Sequence, residues 1–135
     1  MRTQIGSAII GPAGQPLPLT AGVEIDGIVY LSGQLALING KLVGDGIEQQ
    51  TKAVIDAIEK ILAQADLTLR DVFKVAVWLT RKSDFAGFNA IYGSRFSAPY
   101  PVRSTVISDL VLDGALVEIE VTAARSDTSR DRDAA

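Results

Sequence analysis

The segment PVRSTVISDLVLDGALVEIEV, running from Pro101 to Val121, decides how the chain folds. It holds two β-branched runs, Val102 to Ser108 and Leu116 to Thr122, joined by a polar turn at Asp113-Gly114. Alternation puts Arg103, Thr105 and Ile107 on one face of the first run. On the second, Leu116, Glu118, Glu120 and Thr122 share a face. A guanidinium and two carboxylates inside strands are costly to desolvate unless paired, exposed or kept for chemistry. The order of these two strands in a sheet is left open by the sequence.

Upstream of this segment the pattern changes twice. Val72 to Leu79 alternates Phe73, Val75, Val77 and Leu79 against Lys74, Ala76 and Trp78, which predicts a strand. Phe85, Phe88, Tyr92 and Phe96 then recur at three, four and four residues, a helical stripe assigned to the core, with Ser83 and Asp84 as its start. Strand, helix and strand in that order favour a parallel pair with a helical crossover. Before them, Ile47, Val54, Ile55, Ile58, Ile61, Leu62 and Ala65 predict an amphipathic helix from Gly46 to Ala65 with Asp45 as its cap. Ala21 to Ile38 reads as two strands or a hairpin about Asp26-Gly27, with Asn39-Gly40 as a further turn. The first twenty residues are an irregular lead-in with room for a short edge strand.

The predicted fold is therefore α+β: one mixed sheet, both helices on one face, in a single domain over 1–125. A mobile tail, 126–135, has no apolar residue larger than alanine to fold with. Two helices leave the second face of the sheet uncovered, so copies of the chain are expected to associate through it.

Composition narrows the chemistry. The chain has 135 residues, a net charge of −3, no cysteine and no histidine. Disulfides, thiol nucleophiles, thiolate or imidazole metal ligands and Ser-His-Asp arrangements are thereby excluded. The acidic balance argues against nucleic acid as a partner, and no apolar run approaches a membrane span. The opening residues lack the regions of a signal peptide, so a cytoplasmic location is expected.

Four features could carry chemistry. Arg103 could grip a planar carboxylate through two parallel hydrogen bonds, or form an edge ion pair. Glu118 and Glu120 could shift one another toward neutrality, as a proton-transferring group requires, or line a solvated face. Ser32-Gly33-Gln34 could offer N–H groups and a hydroxyl to an oxygen-bearing ligand, or be a bulge. Asn89 could aim its amide into a pocket, or sit on the helix surface.

Taken in order, YLSGQLAL with its NG turn, IEQQTKAVIDAIEKILAQADLTLRDVFKVAVWLT, SDFAGFNAIY, PVRSTV and ALVEIEVTAA resemble the RidA/YjgF family of enamine and imine deaminases. The resemblance covers Gly22 to Ala124. It implies a chorismate-mutase-like fold, a homotrimer with sheets packed inward, and ligand sites between subunits. It further implies that Arg103 binds a substrate carboxylate and that Glu118, with the Thr105 backbone, orients the attacking water. Ser32, Gly33, Asn89 and Thr105 match pocket-lining positions. Leu19 stands where the family often carries a pocket-closing tyrosine, and Val111 replaces a usual proline.

The implied activity is that of a 2-iminobutanoate/2-iminopropanoate deaminase-like hydrolase. It releases 2-oxo acids and ammonia from small enamine or imine acids without metal or cofactor. Two alternatives keep the same fold: a deaminase of a larger, aminomuconate-like intermediate, and a carboxylate-binding protein without turnover.

Overall fold

A computed structural model describes residues 1–11 and 13–126. The element order is β1 (Thr3–Ile5), β2 (Gly22–Ile25), β3 (Ile28–Leu31), β4 (Leu37–Ile38), β5 (Lys41–Leu42), α1 (Gly46–Ala63), β6 (Val72–Leu79), α2 (Phe85–Arg95), β7 (Val102–Ile107) and β8 (Val117–Ala124). Six strands form one sheet in the order β1-β2-β3-β8-β6-β7, and β4 and β5 make a separate ribbon. Among the described strands, only β6 and β7 pair in parallel, across the crossover through α2. The α+β class and mixed sheet agree with the sequence. The open question of neighbours is answered: β6 lies between the two strands of the Pro101–Val121 segment.

Local chemistry explains the connections. Asp26 and Gly27 both have positive φ, 51° and 79°, as do Asn39 and Gly40 at 52° and 76°. Consecutive left-handed residues give the hairpin turn that matches the twist of the strands on either side. The core lies between α1, α2 and one sheet face, where Val54, Ile55, Ile58 and Leu62 meet Val75, Val77, Leu79, Val117, Ile119 and Val121. Each of these side chains contributes about 2 kcal/mol by leaving water. Gln50, also buried, closes the N-terminal end of α1: its Nε2 donates to the Gly114 carbonyl at 3.0 Å and its Oε1 accepts from Leu116 N–H at 2.8 Å.

Three local expectations are corrected. Phe73 does not share the buried face with Val75, because a bulge between Val72 and Lys74 changes the phase and leaves it 43% exposed. Asp45 precedes α1, but its side chain caps nothing; its N–H instead donates to Gln49 Oε1 at 2.8 Å. Phe85 departs from the buried stripe at 44% exposed, whereas Phe88, Tyr92 and Phe96 are buried. Of the expected tail, all but Ser126 lies outside the described residues.

The second sheet face carries Tyr30, Ala76, Trp78, Val102, Val106, Glu118 and Glu120, all exposed or half-buried. No described helix is long and apolar enough to cross a membrane.

Candidate functional site

Arg103 points toward the helices. Its register partner is Val75, which is buried, and paired residues of neighbouring strands share a face. There the guanidinium carbon sits 4.7 Å from the ring centre of Tyr92, 5.2 Å from Phe88 and 5.9 Å from Phe85. Arg81, Arg95 and Arg125 are each committed to carboxylates. Among the described residues, Arg103 has neither an ion pair nor a side-chain hydrogen bond. Thr105 is two residues along the same face, beside buried Val77. Asn89, half-buried, is one helical turn beyond Phe85, which places it beside this cluster. Since β7 is the sheet's edge, its outer row of backbone groups pairs with no other described strand.

Glu118 belongs to the opposite face. It pairs with Trp78, while its neighbours Val117 and Ile119 are fully buried. Gly33 lies directly against it: a Cβ there would collide with Glu118 Oε2 and approach its Cδ to 3.0 Å. This contact follows from a two-way bridge, in which Gln34 N–H donates to the Ile119 carbonyl at 2.8 Å and Ile119 N–H returns a bond at 3.1 Å. Ser32 Oγ donates to the Thr20 carbonyl at 2.6 Å, holding the segment that carries Leu19. Leu19 itself is 45% exposed. The Gly33 N–H donates to no described acceptor.

Burial raises the Glu118 carboxyl above the ordinary carboxylate value, and the charge of Glu120 adds to the effect. The folded state therefore holds this proton more tightly than the unfolded chain. The stability it contributes is complete below the ordinary value of 4.5 and is lost as pH rises through the elevated folded value. Glu118→Gln, which resembles the protonated acid, is expected to match the wild type in acid and exceed it increasingly toward neutral pH. Urea midpoints measured across that range check this, and a constant or shrinking gap contradicts it. Burial likewise raises the Tyr92 phenol, with the Arg103 charge opposing.

The sequence-derived residues thus fall into two groups. Arg103, Asn89 and Thr105 stand on the helix side of the β7 edge; Glu118, Ser32 and Gly33 stand on or beside the open side of β8. Two strand spacings, on the order of 10 Å, and the sheet itself separate them. Within one chain Thr105 does not join Glu118. The aromatic stripe reads from the sequence as core alone; its spacing of three and four residues, in phase with a strand arginine, is the signal that its faces also meet Arg103.

A family profile described as Endoribonuclease L-PSP matches residues 15–125. AldR of Lactococcus lactis subsp. lactis is 40% identical over 108 residues, covering 78% of this chain and 86% of AldR. The crystal structure of YyfA from Yersinia pestis, described as a Rid-family protein of unknown function, superposes with a TM-score of 0.81. It is 33% identical and covers 92% of this chain and 99% of YyfA. RidA from an Antarctic Psychrobacter is 34% identical with a TM-score of 0.76, covering 80% of this chain and 89% of that one.

Proposed function

We propose, from the fact that this chain belongs to the YjgF/RidA family described as Endoribonuclease L-PSP, that it hydrolyses small 2-imino acids and their enamine tautomers to 2-oxo acids and ammonia. The observation that carries this reading is a half-buried guanidinium with no carboxylate partner among the described residues. Arg103 takes the substrate carboxylate bidentately and fixes the adjacent imine carbon. Glu118 orients a water and accepts its proton as oxygen bonds to that carbon. That proton passes to nitrogen, and the remaining hydroxyl proton follows it through Glu118 as the C–N bond breaks, so that C=O forms and ammonia leaves. One water is consumed and no electrons change hands. An acid with a raised pKa suits both halves of this transfer.

Because Arg103 and Glu118 face opposite ways, the site forms where one subunit presents Arg103, Asn89 and Thr105 to another's Glu118, Ser32 and Gly33. The uncovered face and the β7 edge, with Val102 67% and Val106 47% exposed, provide surface for that assembly. A homotrimer with inward-packed sheets is the arrangement proposed.

An assay generating 2-iminopropanoate in situ is expected to show faster appearance of pyruvate and ammonia with the protein than without it. Equal rates would remove the enzymatic reading. They would leave a carboxylate-binding role, for which AldR, named a candidate regulator, is a precedent in name. Exposed Leu19, in place of a tyrosine, leaves the cleft open enough for a larger imine, and the same assay extended to longer side chains tests that. RNA cleavage suits neither the net charge of −3 nor the lack of histidine.

A further inference from the structure

We infer that the buried ring of Tyr92 is a positioning element for Arg103: it fixes the guanidinium by its face and so leaves every N–H donor free for the substrate. The inference rests on the carboxylate-gripping role proposed for Arg103. A long side chain on an edge strand must be held in one place if binding is not to carry the full cost of ordering it. A carboxylate partner would hold it but would occupy its donors. Aromatic faces hold it without accepting any in-plane hydrogen bond.

Of the three rings, Tyr92 is the nearest, at 4.7 Å, and only 5% exposed. It is itself immobilised, stacked on Phe96 at 4.3 Å and 21° and tilted against Phe88 at 5.5 Å and 42°. Phe85, farther away and 44% exposed, cannot serve as a rigid floor. The Tyr92 hydroxyl is buried and has no hydrogen-bond partner among the described residues. The phenol is thus not retained for a bond within the chain, and the ring is the part in contact with Arg103.

The test compares Tyr92→Leu, Tyr92→Phe and Arg103→Ala in the full-length protein, using 2-iminopropanoate generated in situ. Tyr92→Leu is expected to raise KM roughly three- to tenfold, the cost of ordering one long side chain, with kcat within about twofold of wild type. Tyr92→Phe is expected to keep the wild-type KM. An unchanged KM in Tyr92→Leu, a fall in kcat alone, or an equal loss in Tyr92→Phe overturns the inference. If Arg103→Ala also retains full activity, the carboxylate role fails with it; if Arg103→Ala is inactive, only the Tyr92 assignment fails.

A second measurement needs no Tyr92 variant. The Arg103 Nε–H resonance, identified by its absence from Arg103→Ala, is expected to be shifted upfield by ring currents in the wild type. A random-coil position contradicts the assignment.

Discussion

Arg103→Ala is expected to lower kcat/KM for 2-imino acids by roughly a hundred- to a thousandfold, the value of a bidentate charge-assisted pair. Folding should hardly change. The guanidinium has no ion pair to lose among the described residues, and the contacts removed are ring faces 4.7 to 5.9 Å away, a term of about 1 kcal/mol. Arg103→Lys should recover little, because an ammonium offers a point charge and no planar fork. Such a separation of activity from stability is uncommon for a residue that faces a core. Turnover by Arg103→Ala at the wild-type rate, in protein melting normally, would show that the carboxylate is held elsewhere.

Glu118→Gln is expected to reduce kcat about a hundred- to ten-thousandfold, the range of a general base. Wild-type activity should rise with pH as the carboxyl ionises, through a value above the ordinary 4.5, and that acidic limb should vanish in the amide variant. Gly33→Ala supplies a companion test that leaves the carboxyl in place. An added methyl must displace the Glu118 carboxylate, so kcat should fall while the acidic limb persists at a shifted position. If Gly33→Ala behaves as wild type, the Gly33–Glu118 contact has no part in catalysis.

Much of the fold was legible because periodicity is local. The predicted strand Val72 to Leu79 is found with those bounds, and the helical stripe is buried from Val54 to Leu62, with Ile47 half-buried at its start. The bulge beside Phe73 was not legible, since it depends on how β6 pairs with β8. Pairing order itself is non-local, and no feature of the Pro101–Val121 segment marks β6 as the strand between its two halves.

The candidate site was half legible for a related reason. In β8 the apolar residues Val117, Ile119 and Val121 face the helices, so the glutamates fall on the other side, as alternation requires. In β7 the polarity is inverted: Val102 and Val106 face outward, while Arg103 and Thr105 face the helix layer. A strand that turns its charge inward and its valines outward breaks the pattern expected of an isolated subunit, and such breaks concentrate at functional sites. Both halves of the inversion have one physical reading. Under the function proposed above, the valines meet a neighbour's surface and the arginine holds a ligand at that junction.

Mixed oligomers test the shared site most directly. Arg103→Ala and Glu118→Gln proteins, each inactive alone, are unfolded, combined in equal amounts and refolded together. If one subunit supplies Arg103 and its neighbour Glu118, about a quarter of the junctions are intact in a random mixture, whatever the size of the ring. Recovery of roughly that fraction of wild-type activity is the expected result; a mixture as inactive as its two components contradicts it.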